Sequence, residues 1–198
     1  MRDLEIRGAG NLLGTKQSGH ITAVGFDLYC QLLRQSVDSL KSGKTSRRVD
    51  VTLRADFLCF NEAESNQRDS EAEDQDIAHI GNLGAYIPAY YMSEARLRIS
   101  AYRELAELIN VKELNALKKR WRDRFGKTPE YADNLLLITE IKLIASVANI
   151  STVEIREQRL MLTRNGEYIF VSGKKFPRLV QSDPRHKLNE TLSMLKSI

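Results

Sequence analysis

The chain has 198 residues, enough for one ordinary domain or a small domain with an appendage. With 42% hydrophobic and 28% charged residues it can form a core. No apolar run approaches the roughly 18–20 residues of a bilayer span and no signal-peptide pattern opens it, so membrane contact is excluded and a cytoplasmic location expected.

Residues 2–20 pack four glycines (Gly8, Gly10, Gly14 and Gly19) and the polar trio Arg7, Lys16 and Gln17 between short apolar pairs. Such backbone-permissive density suits a tight hairpin pressed against another surface, and its position at the very start suggests an element cut from a larger protein. From Gly25 to Leu40 the apolar residues Phe26, Tyr29, Leu33, Val37 and Leu40 recur every three or four positions, predicting an amphipathic helix stopped by Gly43. Val49, Val51, Leu53, Ala55 and Phe57 then alternate with polar residues, the period of a half-buried strand.

Residues 61–76 hold seven acids and one base, a net of −6, with no periodicity, and read as a mobile loop or insertion. Since the whole chain is at +4, the remainder carries +10. That excess suits a polyanion or an acidic protein face, and equally a well-solvated Lys/Arg-rich surface.

Ordered chain resumes near Ile77–Tyr91, where Gly81, Gly84 and Pro88 favour extended or turning backbone. Three helices follow. The first runs from a Ser93 N-cap to Ile109, with Leu97, Tyr102, Leu105 and Leu108 inward; the second covers Val111–Phe125 on the stripe Leu114, Leu117, Trp121 and Phe125, ending at Gly126. Thr128-Pro129 caps the third, which carries Leu135, Ile138, Ile141, Ile144, Val147 and Ala148. Strands are predicted at 153–156, 160–164 and 167–171, the last two joined by Asn165-Gly166, and a final helix at 186–197. This order indicates an α+β fold rather than a parallel-sheet one.

Self-sufficient catalysis finds no support. Gly43-Lys44-Thr45 resembles the end of a phosphate loop, but Asp38 stands where the pattern needs glycine, and the segment follows a helix instead of a strand. Gly8-Ala-Gly10 lacks the third glycine of a dinucleotide fingerprint, with Leu13 in its place. His20, His79 and His186 are too far apart for metal spacing, and Cys30 and Cys59 read as buried thiols of a reducing compartment. No catalytic residue, metal ligand or cofactor is assigned. The second helix is basic on its outer face (Lys118, Lys119, Arg120, Arg122 and Arg124, with Asp123), which is either a solvated face or a docking surface.

Asp3-Leu-Glu-Ile-Arg-Gly-Ala-Gly-Asn-Leu-Leu-Gly14, Gln17-Ser-Gly19, Val24-Gly-Phe-Asp-Leu-Tyr29, Ala85-Tyr-Ile-Pro88, Arg96-Leu97, Tyr102-Arg103 and Asp123-Arg-Phe-Gly126 together resemble the C-terminal part of the bacterial transcription-repair coupling factors. The likeness covers 2–150 apart from 58–80 and thins beyond; its opening is similar to the translocation motif shared with RecG-type helicases. The resemblance implies a parent machine that hydrolyses ATP with Mg, moves on double-stranded DNA, displaces stalled RNA polymerase and recruits UvrA for nucleotide-excision repair. It implies a translocation hairpin at 1–24, a relay helix at 25–44 and a C-terminal regulatory domain at 45–198. Arg7 and Gln17 match the residues that couple ATP turnover to movement; a guanidinium and an amide make directional contacts that can be remade each cycle. The glycines Gly8, Gly10, Gly14 and Gly19 shape that hairpin.

By the same resemblance the regulatory domain contacts the amino-terminal UvrB-like region of the same protein and masks its UvrA-binding surface. Asp123 and Arg124 match the contact face, while one turn earlier this sequence has Arg120 where the family often has an acid. The implied fold is an N-terminal helical hairpin and long helix leading into a compact α+β domain, with a small antiparallel sheet packed against several helices. The chain lacks the motor motifs and is expected to be inactive alone. The alternatives are a basic DNA-binding module and the end piece of a RecG-like helicase.

Overall fold

The computed structural model describes residues 49–60, 82–170 and 175–198. In chain order the elements are strands β1 (Thr52–Ala55), β2 (Leu58–Cys59) and β3 (Leu83–Gly84), then helices α1 (Ala95–Glu107), α2 (Val111–Phe125) and α3 (Glu130–Val147). Strands β4 (Ile150–Arg156), β5 (Arg159–Arg164) and β6 (Glu167–Ile169) follow, and helix α4 (Pro184–Lys196) comes last. The translocation hairpin with Arg7, Gln17 and its glycines, the relay helix, Cys30 and the acidic stretch 61–76 all lie outside the described residues.

The α+β class holds, with one correction: the sheet is mixed, not antiparallel. Its order is β1-β4-β5-β6, and β1 runs parallel to β4, pairing Thr52 with Thr152 and Ala55 with Ile155. Only β4, β5 and β6 form an antiparallel meander. Between β1 and β4 the chain passes through three helices, the kind of long crossover that returns it to the same end of the sheet and makes parallel pairing possible. A second parallel pair joins β2 to β3, with Leu58 opposite Leu83.

Helix α3 is the axis of the fold. The sequence stripe gave it one inward face, but Leu135, Leu136, Leu137, Ile138, Thr139, Ile141, Leu143 and Ala145 are all buried. The reason is that α2, α4 and the sheet surround it, leaving only partly exposed positions such as Glu140 and Lys142 along its body. At one end Val147, predicted inward, is 79% exposed, because Asn149 turns the chain at φ 56° and the strand begins at once with Ile150. A short polar residue tolerates that left-handed conformation better than most.

Other boundaries shift for local reasons. Ser93 does not cap α1: Glu94 occupies that position without a side-chain bond, and the Ser93 carbonyl instead accepts from the Arg98 guanidinium at 2.9 Å. Helix α3 starts one residue later than its Thr-Pro signal, with Pro129 at the cap. Helix α4 starts earlier than predicted, at Pro184, because the Asp183 carboxylate accepts from the His186 N–H at 2.9 Å. The nine-residue alternation from Val49 contributes only four residues to β1, and the chain turns at Asp56-Phe57; Val51, Leu53 and Phe57 are nevertheless core. The Asn165-Gly166 turn is as predicted, with φ of 53° and 84°, the positive pair that a two-residue hairpin of this twist requires.

Candidate interdomain docking face

Helix α2 carries the basic residues singled out in the sequence, and it is built to hold them still. At its start the Asn110 side chain accepts from the Glu113 N–H at 2.9 Å, while the Glu113 carboxylate accepts from the Ile109 N–H at 2.8 Å. Two orphan donors are thereby satisfied reciprocally. Leu114, Leu117 and Trp121 are buried, and Phe125 packs edge-on to Tyr91 at 5.7 Å. At the far end Gly126 takes φ 83°, where a side chain would be strained, and its N–H donates to the Arg122 carbonyl at 3.0 Å.

With this stripe inward, the charged residues divide between two flanks and a crest. A helix advances roughly 100° per residue, so residues four apart share a flank. Arg120 and Arg124 lie on the flank toward α1. There Arg120 pairs with Glu104 at 2.9 Å, both side chains well exposed, and the Arg124 guanidinium sits 5.1 Å over the Phe125 ring. Lys118 and Arg122 lie on the opposite flank toward α3 and α4. Asp123 is exposed on the crest between them. The three predicted contact residues are thus brought to the outer side of one rigid helix, with Asp123 and Arg124 in water and Arg120 engaged within its own domain.

The Lys118 flank is tied down by groups that sequence reasoning missed. Glu140 of α3 accepts from Lys118 of α2 and from Lys196 of α4, each at 3.1 Å, so one carboxylate joins three helices. Burial pushes that carboxyl up, but the bonds to Lys196 and Lys118 outweigh it and hold it below the ordinary glutamate range. Nearby, Arg185 of α4 donates to Asn134 at 2.8 Å and pairs with Asp133, while the Asn134 amide donates to the Gly84 carbonyl at 3.0 Å. This links α4, α3 and β3 in one network. The signal was a polar pair, Asp133-Asn134, inside an apolar helix, but nothing local named Arg185 as its partner.

Between the end of α2 and the start of α3 lies a cleft of about 570 Å³ lined by Lys118, Arg122, Gly126, Lys127, Thr128, Asp133 and Leu136. No group of three or more potential metal ligands occurs among the described residues. No helix among them is long and apolar enough to cross a membrane. Cys59 is buried, as predicted.

A TRCF domain model matches residues 82–168, from β3 through β6. The chain is 31% identical over 197 residues to the transcription-repair-coupling factor of Buchnera aphidicola, a match covering all of this chain and 22% of that protein. It is 34% identical over 188 residues to that of Haemophilus influenzae, covering 92% of this chain and 14% of the relative. The chain therefore spans about a fifth or less of the length of these curated relatives. Among solved structures, a crystal structure of the C-terminal domain of a transcription-repair coupling factor aligns with TM-score 0.44 and 18% identity, covering 57% of this chain and 89% of that one. On the sequence matches, the chain belongs to the transcription-repair-coupling factor family, with its TRCF domain at residues 82–168.

Proposed function

We propose that the domain from residue 45 onward is a regulatory docking module. It contacts the amino-terminal UvrB-like region of the same protein through the outer side of α2 and thereby masks the surface that recruits UvrA. The single observation carrying this reading is that Asp123 and Arg124 stand in water on a helix capped at both ends and fixed by Trp121 to the core. An exposed acid–base pair on a rigid element is suited to fixing the register and specificity of a contact more than to supplying raw affinity. Arg120, already paired with Glu104, sets the edge of that face.

In the parent machine, an ATP- and Mg-dependent translocase on double-stranded DNA that displaces stalled RNA polymerase, residues 1–24 would couple the motor to movement through Arg7 and Gln17. Arg7→Ala or Gln17→Ala in the full-length protein is expected to leave ATP hydrolysis intact and abolish polymerase displacement; displacement at the original rate would remove the coupling role.

The basic charge of α2 favours one second reading, direct DNA binding. Titrating the 198-residue chain against the amino-terminal region and against duplex DNA separates the two. The docking reading expects saturable binding to the protein and negligible DNA affinity at physiological salt. DNA affinity falling steeply as salt rises, with no protein binding, would replace it with the second.

A further inference from the structure

The four-stranded sheet has one buried face and one open face. Alternate residues of a strand point to opposite sides. Leu53 of β1, Val153 and Ile155 of β4, and Leu160 and Leu162 of β5 are buried on the side where α3 meets β1 and β4. The residues between them form the other side. Cross-strand pairing sets Thr52, Thr152, Thr163 and Tyr168 in one row there, Arg54 beside Glu154 in the next, and Arg156, Arg159 and Arg178 in a third. None of these residues is buried.

Two kinds of side chain on this open face have no use in the fold. Tyr168 and Phe170, two apart at the β6 edge, share the face and are 52% and 45% exposed. Phe176 packs against both, with ring centroids 5.3 and 4.9 Å away. A contiguous group of rings left in water marks a contact surface. The arginines are the second kind. Among the described residues no ion pair holds Arg54, Arg159 or Arg178, whereas Glu154 is answered by Arg156 at 2.7 Å. The other acids at that end, Asp56 and Glu157, sit in turns beyond the strands, where the Asp56 carboxylate accepts from the Glu157 N–H.

Rings that stack on bases, with arginines that meet phosphates, are what a sheet offers to a single-stranded nucleic acid. Three strand spacings of about 4.8 Å separate β1 from β6, so the platform is roughly 14 Å across. A duplex keeps its bases inside its own stack and cannot present them to these rings. The threonine row leads directly to Tyr168, and a hydroxyl, as donor and acceptor, matches the ribose 2′-OH that distinguishes RNA from DNA.

We propose that the open face of the sheet binds single-stranded RNA, its bases stacked on Tyr168, Phe170 and Phe176 and its phosphates met by Arg54, Arg159 and Arg178. The face lies on the side of the sheet away from α3, on which α2 packs, so the contact does not use α2 and does not rest on the docking reading.

Fluorescence anisotropy of a labelled uridine dodecamer with the 198-residue chain tests this. Saturable binding is expected, several-fold tighter than for the matching deoxythymidine strand and not displaced by duplex DNA. Tyr168→Ala and Phe170→Ala should each weaken it at least about fivefold, the scale of one lost stacked base, while Tyr168→Trp retains it. Arg159→Ala should lower the slope of log affinity against log salt by about 0.7, and Arg122→Glu on α2 should change nothing. Thermal unfolding matched to the parent shows that any loss is not misfolding. Unchanged affinity in Tyr168→Ala, equal or tighter binding of the deoxythymidine strand, or a loss in Arg122→Glu would each overturn the proposal. So would an absence of RNA binding with Tyr168→Ala weakening capture of the amino-terminal UvrB-like region, which would give the face to a protein instead.

Discussion

The two flanks of α2 carry cations at the same helical spacing, yet they are held very differently. On the inner flank Lys118 shares Glu140 with Lys196, and a few residues away Asp133 and Asn134 bind Arg185, so charge there joins α2, α3 and α4. On the outer flank Arg120 meets only the half-exposed Glu104, and Arg124 leans on its neighbour's ring. Charges woven into several elements act on stability, while charges standing free on a fixed helix are available to a partner. On one helix, charges tied into the packing and charges left in water are thus separated by a rotation of about half a turn.

The sharpest way to break that division is to remove what fixes the helix. Trp121→Ala empties a buried site under both flanks and is expected to cost about 3–5 kcal/mol in denaturant unfolding. A cost under about 1 kcal/mol would mean that α2 is not rigidly seated.

The inner flank should show itself as pH dependence. The Glu140 carboxyl is held below its ordinary range in the folded chain, so its ion pairs contribute fully above the unfolded glutamate pKa and are lost as pH falls through the depressed folded value. Glu140→Gln should therefore lower stability by roughly 1 kcal/mol near neutral pH and flatten the acid limb of the stability curve. An unchanged acid limb would remove Glu140 from its joining role. On the outer flank Arg120→Ala should cost about 0.5 kcal/mol or less, since its ion pair is exposed and water replaces it readily. A larger loss would place that flank with the architecture instead.

How much of this was legible in the sequence follows the range of the forces involved. Although the Asn110 cap at its start emerged only in the structure, helix α2 was legible because its stripe and its stop at Gly126 are local signals. So was the Asn165-Gly166 hairpin. The parallel seating of β1 on β4 was not, because Thr52 and Thr152 are far apart in sequence and no local signal in either strand names the other as its partner. The tight turn at Glu157, with φ 54°, carries no glycine or asparagine to announce it; the Asp56 carboxylate accepts its N–H at 3.4 Å from across the sheet. For the candidate site, the exposed residues Arg120, Asp123 and Arg124 could be named in advance. Their two-flank division, Glu140 and Arg185 could not, since ion pairs between helices depend on packing that periodicity alone does not set.

Whether the outer side of α2 docks as proposed can be read from one titration. The 198-residue chain and its Arg124→Glu variant are each measured calorimetrically against the amino-terminal UvrB-like region, with matched thermal unfolding to establish that both are folded. Equal stability is expected, with an affinity loss of at least about tenfold for the variant, the scale on which a like charge brought into an interface acts. Equal affinity of variant and parent would contradict it.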